Sequence, residues 1–209
     1  MKNLVKTLNF SRKHSIYLIL PLFLIIFSSA YVNEPLTASE KESLVYTIEE
    51  SRLTRDVNMF LYAKWEEAIF DYVLTQENNN IYRLQKFIKE QGGYDPLSRS
   101  LEGKFNIPAM QTEYNKLINV GKNNKLAAFY VSMTLEEKNY MKMQERIQMA
   151  ENLQLIRLYG KRMENSGTHI RILYRDLQKM GVDYEAQVMD QNEFMDIVQP
   201  DILLEDISM

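Results

Sequence analysis

The chain has 209 residues, of which 25 are basic, 28 are acidic and 45% are hydrophobic, and its formal charge is −3. This composition is close to the average for globular proteins and excludes a wholly disordered chain. The sequence has no cysteine and two histidines, His14 and His169. Disulfides, iron–sulfur clusters, thiolate zinc sites and metal sites built from several imidazoles are therefore excluded.

The first thirty residues have the organisation of an export signal. Four basic residues and no acidic one precede an apolar run from Ile16 to Phe27, which is followed by the small residues Ser28, Ser29 and Ala30. This run is short for a membrane span, so residues 1–30 are predicted to be a cleaved signal peptide. An uncleaved N-terminal membrane anchor is the alternative. The protein is expected outside the cytoplasm, either periplasmic or secreted, and it would contact a membrane only through an uncleaved N-terminal segment.

The middle of the chain has the apolar spacing of amphipathic helices. Residues 31–40 are predicted to be a linker, and residues 41–181 are predicted to be a helical domain. Glycines at positions 92, 121 and 181 follow helical patterns, as is typical of helix C-termini. In chain order, the predicted helices run from Ser39 or Lys41 to Trp65, Ile69 to Gln91, Ala109 to Val120, Leu126 to Met149 and Asn152 to Met180.

Four long helices and one short helix predict an all-α fold, an antiparallel four-helix bundle. The connection between the second and third long helices has about thirty residues and includes the short helix, which is enough to cross a bundle at about 1.5 Å per helical residue. A long crossover carrying a short helix at this point is the connectivity of ferritin-like folds. The sequence therefore predicts a ferritin-like bundle.

The C-terminal residues 182–209 contain eight acidic residues and no lysine or arginine. They are predicted to form an acidic, disordered tail. Apolar residues such as Phe194, Ile197 and Leu203 interrupt the acids, so the alternative is an acidic and hydrophobic segment that docks a protein partner.

Several short motifs occur in a specific order along the predicted helices. Residues 49–57 read E-E-S-R-L-T-R-D-V, and residues 61–65 read L-Y-A-K-W. The later motifs are Ile69-Phe70 with Glu77, Asp95-Pro96, Gly103-x-Phe105, Pro108-x-Met110-Gln111-x-x-Tyr114, Leu117-Ile118-x-x-Gly121, Val131 with Glu136-Glu137, and His169. In this order, the sequence from about Leu44 to Leu177 resembles a bacterial ferritin-like domain family of unknown function, related to rubrerythrin-like bundles.

The resemblance implies a carboxylate-bridged di-iron site to which four helices contribute ligands. Several implied ligand positions are altered in this chain. Ser51 and Asn80 stand where the resemblance implies a glutamate and a histidine, and Ser166 stands three residues before the histidine of the last helix in place of a glutamate. The candidate metal ligands that remain are Glu77, Glu136 or Glu137, and His169, with Glu50 as an outlier.

The altered ligand positions predict a non-catalytic protein with a degenerate di-iron site and a structural or interaction role. Together with the signal at residues 1–30, they predict that this protein is exported. No catalytic residue and no cofactor are expected. Ser51, Thr54 and Asn58 share one helix face, which predicts a polar interior without a metal. The alternative is a metal-binding, iron-dependent oxidoreductase or iron-handling protein that uses the reduced ligand set.

The sequence argues against several other functions. It contains neither a Gly-rich phosphate loop nor a nucleophile elbow. Loss of the four basic residues of the signal would change the formal charge from −3 to −7, which disfavours nucleic-acid binding. The partners that remain as expectations are an unidentified protein and a second copy of the chain in a homodimer.

Overall fold

The computed structural model describes residues 35–94 and 101–199, and these ranges contain six α-helices and no β-strand. In chain order, the helices are α1 (Ala38–Trp65), α2 (Ala68–Glu90), α3 (Pro108–Gly121), α4 (Lys125–Met149), α5 (Leu153–Lys179) and α6 (Gln191–Val198). The all-α prediction is confirmed, and the ends of the first five helices lie within one helical turn of their predicted positions. The predicted signal lies outside the described residues. None of the described helices is both long and apolar enough to span a membrane.

Side-chain caps set the starts of three long helices. Thr37 and Glu40 form a capping box at α1, in which the Glu40 amide donates to Thr37 Oγ1 over 3.2 Å and the Thr37 amide donates to Glu40 Oε2 over 2.9 Å. Asn124 and Asn152 cap α4 and α5 through their side-chain oxygens. Oε1 of Glu40 accepts from the amides of Glu151 and Asn152. The start of α1 is therefore joined to the turn between α4 and α5.

The core consists of two apolar clusters with buried polar side chains between them. Cluster 1 includes Val57, Leu61, Phe70, Val73, Phe129, Val131, Ile170 and Leu173. Cluster 2 includes Leu44, Ile48, Leu84, Phe87, Ile88, Met143, Leu155 and Tyr159. Each of the four long helices contributes to both clusters. On each long helix, buried polar residues lie between the residues of cluster 1 and those of cluster 2. We call the following residues of this set the polar layer: Ser51, Glu77, Asn80, Glu136, Arg162, Ser166 and His169.

The order of the clusters along each helix gives the helix directions. α1 and α5 pass from cluster 2 to cluster 1, whereas α2 and α4 pass from cluster 1 to cluster 2. α1 packs against α2 and α4, and α5 also packs against α2 and α4, so these packed neighbours are antiparallel. α2 and α4 run in the same direction, and the chain between them is described at residues 91–94 and 101–124. This part of the chain forms a crossover whose helix α3 packs against α1 and α4.

Side chains of α1 hold this crossover. Arg52 Nη2 donates to the carbonyl oxygens of Leu101 and Lys104, each over 3.1 Å, and Arg52 Nη1 pairs with Glu49 at 2.9 Å. Asp56 Oδ2 accepts from a crossover amide over 2.8 Å. Arg52 and Asp56 of the 49–57 motif therefore hold the crossover, and Glu49 pairs with Arg52, which explains this part of the pattern without any metal.

Gly103 donates the amide that Asp56 accepts. It has a left-handed φ of 66°, and a Cβ atom there would lie 2.9 Å from the hydroxyl of Tyr114. Both the backbone conformation and the close approach require glycine at this turn. The turn thereby brings the crossover backbone into contact with α1.

The predicted disordered tail is wrong for residues 182–199. Tyr184, Phe194 and Ile197 are buried in cluster 1, whereas Asp183 and Asp196 are exposed. The apolar residues that interrupt the acids therefore cover the core, and α6 packs against α5. Residues 200–209 lie outside the described part of the chain.

Glu137 of α4 fixes this C-terminal segment. Its buried carboxylate accepts from the Tyr184 hydroxyl over 2.5 Å and from the amides of Gln187, Val188 and Met189 over 3.0, 2.7 and 3.2 Å. Burial, the hydrogen bond to Glu137 and the charge of Glu137 raise the pKa of Tyr184, so the phenol remains a donor. One carboxylate therefore joins α4 to the segment that precedes α6.

Candidate functional site

All four long helices contribute side chains to the polar layer. Ser51 comes from α1, Glu77 from α2 and Glu136 from α4, while Arg162 and His169 come from α5. Each of these side chains belongs to a residue with at most 1% relative exposure. The two α5 residues are seven positions apart and therefore share a helix face. The layer thus brings two carboxylates, an imidazole and a guanidinium together between the apolar clusters.

Glu136 and His169 form an ion pair between α4 and α5. Nδ1 of His169 lies 3.1 Å from Oε1 of Glu136, although the approach is not aligned as a hydrogen bond. Burial lowers the pKa of His169, but the charge of Glu136 more than offsets this and raises the pKa above its ordinary value of 6.5. Burial raises the pKa of Glu136, but His169, with help from Ser166 and Arg162, lowers it below 4.5. Both shifts favour an imidazolium facing a carboxylate.

Arg162 extends from α5 toward α1 and α2. Its Nε donates to Ser51 Oγ over 2.8 Å, and its Nη2 lies 3.7 Å from Glu77 Oε2. The other oxygen of Glu77 accepts from Asn80 Nδ2 over 3.2 Å. Burial raises the pKa of Glu77, and Arg162 offsets only part of this because the charge of Glu136 acts in the same direction as burial. The carboxylate of Glu77 therefore faces an amide and a guanidinium of the protein itself.

The structure brings together three of the five predicted metal-ligand candidates, namely Glu77, Glu136 and His169. The other two lie elsewhere. Glu137 holds the C-terminal segment, and Glu50 faces basic residues of α4. Adjacent side chains on a helix point about 100° apart. Glu136 and Glu137 therefore contact different parts of the protein.

Glu50 has its own ion pairs. Its carboxylate oxygens lie 2.6 Å from Lys142 Nζ and 2.5 Å from Arg146 Nη1. Burial raises the pKa of Glu50, but the charges of Arg146 and Lys142 more than offset it and the net shift is downward. Glu50 is therefore a charged residue of the α1–α4 interface and not a member of the polar layer.

Other polar contacts line the same α1–α4 interface. Asn139 Nδ2 donates to Thr54 Oγ1 over 3.0 Å, and Ser132 Oγ donates to Asn58 Oδ1 over 2.8 Å. Thr54 and Asn58 are buried, as is Ser51 one turn earlier. The predicted burial of these three polar residues is confirmed. Their partners differ, because Ser51 bonds to Arg162 of α5.

A di-iron centre does not fit the polar layer. Such a centre needs several carboxylate and imidazole ligands that point at a shared position. Among residues 35–94 and 101–199, no three His, Asp or Glu side chains converge in a way that could hold a metal ion. Ser51 and Asn80, at two implied ligand positions, bond to Arg162 and Glu77. Arg162 presents N–H donors and a permanent positive charge, whereas a metal ion requires lone pairs.

Several buried atoms of the layer have no hydrogen-bond partner within the described part of the chain. They are Oε2 of Glu77, both oxygens of Glu136, Nη1 and Nη2 of Arg162, Oγ of Ser166 and both ring nitrogens of His169. Cationic donors and anionic acceptors both occur among them. Their charges therefore compensate one another across the layer, in contrast to a metal site, in which ligand lone pairs predominate.

Tyr72 covers His169 on the side of α2. The two rings meet edge to face, with centroids 5.5 Å apart and planes at 87°. Tyr72 is 40% exposed, whereas His169 is fully buried. Tyr72 therefore contacts both the buried imidazole and solvent.

Arg162 is the residue of the layer that sequence-based prediction missed. It stands four residues before Ser166 and seven before His169, on the face of α5 that also buries Leu155 and Tyr159. A basic residue on such an apolar face is a sequence signal that could have identified Arg162 as part of the layer. It is ambiguous because arginine side chains commonly extend along apolar surfaces and keep their charge in water.

The comparisons with known proteins cover most of the chain. Residues 40–201 match a family described as an uncharacterized protein domain (DUF2202). The uncharacterized protein MJ0754 of Methanocaldococcus jannaschii is 27% identical over 172 residues, which cover 82% of this chain and 93% of that protein. The crystal structure of the hypothetical protein MJ0754 from Methanococcus jannaschii DSM 2661 matches with a TM-score of 0.77 and 27% identity, covering 80% of this chain and 95% of that chain. The family match includes all but the first two residues of α1, all of α2 to α6 and every residue of the polar layer, and the chain therefore belongs to the DUF2202 family.

Proposed function

We propose that this protein is an exported, ferritin-like helical scaffold whose polar layer is held by its own ion pairs. Its role is structural or partner-binding, and it is not an enzyme. The observation that carries the proposal is the position of Arg162, whose guanidinium lies buried between Ser51 and Glu77. A di-iron enzyme of this kind would need ligands, and not a fixed cation, at this place.

The helix directions support the ferritin-like assignment. α1, α2, α5 and α4 pack in a closed cycle of antiparallel neighbours. The crossover at residues 91–124 connects two helices that run in the same direction, which is the connectivity of a ferritin-like bundle. The proposal therefore places the polar layer at the position in the bundle where such folds build their metal centres.

The charges in the layer support a non-catalytic role. Glu136 faces His169, and Glu77 faces Arg162. A catalytic metal needs an open coordination position, and a general base needs a substrate within hydrogen-bond reach. The layer instead lies between two apolar clusters, and its carboxylates face cations of the same chain.

Residues 1–30 support export. Their basic start, apolar run and small residues are typical of a signal peptide. We infer that the exported chain begins at Tyr31 and is periplasmic or secreted. Retention of residues 1–30 as a membrane anchor is the alternative.

The alternative function is an iron-dependent oxidoreductase or iron-handling protein with one metal ion at Glu77, Glu136 and His169. One observation favours it. These three side chains come from α2, α4 and α5 into one layer, and both oxygens of Glu136 have no hydrogen-bond donor within the described ranges.

Metal analysis of the exported protein separates the two functions. The full chain is produced in cells supplied with iron, manganese and zinc, and the N-terminal residue and metal content of the recovered protein are measured. The proposal predicts a folded protein that begins at Tyr31 and holds far less than one metal ion per chain. About one ion per chain, lost in His169→Ala and retained in Glu113→Gln on the surface of α3, would establish the single-metal alternative. About two iron ions per chain would contradict the proposal entirely.

A further inference from the structure

We propose that Arg162 is the resident cation of the polar layer and that its charge keeps divalent metal ions away from the side chains of Glu77, Glu136 and His169. This inference rests on the proposed function and deepens it. It gives one residue the task of keeping the scaffold free of metal.

The first argument is the permanence of the charge. A guanidinium stays protonated at every pH at which proteins fold, so Arg162 cannot become neutral to admit a metal ion. A lysine ammonium in the same place could lose its proton on burial. The residue is 1% exposed, and water therefore screens its charge little.

The second argument is the place of the guanidinium within the layer. Nη2 of Arg162 lies 3.7 Å from Oε2 of Glu77, the carboxylate oxygen that Asn80 does not bond. In the same buried layer, Nδ1 of His169 lies 3.1 Å from Oε1 of Glu136. Because water screens charges in this layer little, the cation beside Glu77 would repel a divalent ion bound among these side chains.

The third argument is how Arg162 is held. Its Nε donates to Ser51 Oγ over 2.8 Å, and the side chain leaves a helix that packs against both α2 and α4. The short side chain of Ser51 leaves room for the guanidinium, and both residues are buried. The Ser51 hydroxyl therefore fixes the position of the cation within the layer.

Removal of the charge should convert the layer into a metal site. The probe is Co²⁺, whose binding to carboxylate and imidazole ligands is read by visible absorption and by equilibrium dialysis of the full chain. We expect no stoichiometric binding to the wild-type protein. Arg162→Gln, which keeps a polar side chain of similar length, should bind about one Co²⁺ per chain, roughly 100-fold more tightly than the wild type. Arg162→Ala should behave in the same way and gain thermal stability when Co²⁺ is added.

Three control variants test whether Co²⁺ binding depends on the residue at position 162 and on His169. Arg157→Ala removes an exposed arginine from the same helix and should leave Co²⁺ binding unchanged. Arg162→Lys keeps a basic residue in the layer and should bind Co²⁺ more weakly than Arg162→Gln, because the protonated ammonium also repels the metal ion. Adding His169→Ala to Arg162→Gln should abolish the new binding, because the imidazole is a ligand of the converted site.

The outcomes distinguish this inference from the proposed function. A folded Arg162→Gln protein without bound Co²⁺ would overturn the inference and leave the metal-free scaffold standing. If Arg162→Ala does not fold, the Co²⁺ binding of Arg162→Gln decides whether the inference holds. If both variants fold only in the presence of Co²⁺, the inference is supported. Stoichiometric Co²⁺ in the wild-type protein, lost in His169→Ala, would overturn both the inference and the proposed function.

Discussion

Replacing Glu137 with alanine is expected to lower the free energy of unfolding by roughly 3 to 5 kcal/mol, because four donors lose a charged acceptor and a hydrogen bond to a charged group contributes about 1.5 to 3 kcal/mol. The carboxylate accepts from the hydroxyl of Tyr184 and from three backbone amides of the C-terminal segment. Without it the buried Tyr184 hydroxyl and the three amides have lost their acceptor. Chemical denaturation followed by circular dichroism measures the loss.

The same variant should release the C-terminal segment before the rest of the protein unfolds. Hydrogen exchange of residues 182–199 should become fast in Glu137→Ala while α1 and α5 stay protected. Glu145→Ala, an exposed glutamate of the same helix, is the matched control and should change the free energy of unfolding by about 0.5 kcal/mol or less. Equal exchange of residues 182–199 in the wild type and in Glu137→Ala would show that Glu137 does not hold this segment.

Replacing Glu136 with glutamine is expected to lower the free energy of unfolding by roughly 2 to 4 kcal/mol near pH 5.5, because it removes the partner of a buried imidazolium. The loss should depend on pH. The folded-state pKa of Glu136 is lowered from 4.5, so its contribution is present above pH 4.5 and disappears as the pH falls through the folded value. The folded-state pKa of His169 is raised from 6.5, so its contribution is present below pH 6.5 and disappears as the pH rises through the folded value.

The difference between the wild type and Glu136→Gln should therefore be largest between pH 4.5 and 6.5 and smaller on either side. Urea unfolding at a series of pH values measures it, and subtracting one protein from the other removes most contributions of distant groups. Glu113→Gln breaks a partly exposed pair with Lys138 and should cost about 1 kcal/mol or less. A difference that is constant from pH 4 to pH 9 would contradict an ion pair between Glu136 and His169.

The helical part of the fold was predictable because apolar periodicity, glycines and caps act locally. The end of α2 before Gly92 and the start of α5 after Asn152 both follow from neighbours in the sequence. The C-terminal segment was not predictable in this way. Its acidic composition indicates disorder, whereas Tyr184 and Phe194 pack in cluster 1 and Tyr184 donates to Glu137, which lies about fifty residues earlier in the chain.

The candidate site was predictable in part. Glu77, Glu136 and His169 lie on the faces that the resemblance implies, and the structure brings them into one layer. Sequence alone could not choose between Glu136 and Glu137, because both are fully buried and each has its own partners. Nor could it place Arg162, since the hydrogen bond of this residue to Ser51 joins positions that are 111 residues apart.

The protonation state of His169 tests most directly whether ion pairs within the protein, and not a metal ion, neutralise the charges of the polar layer. Nitrogen-15 NMR of labelled protein, with His169→Gln to assign the signals, reports each ring nitrogen as protonated, lone-pair bearing or metal-bound. We predict that both nitrogens of His169 are protonated at pH 6, and that the ring titrates above 6.5 without sensitivity to added Zn²⁺ or chelator. A neutral ring at pH 6, with one nitrogen bound to metal and a spectrum that changes on chelation, would contradict the account.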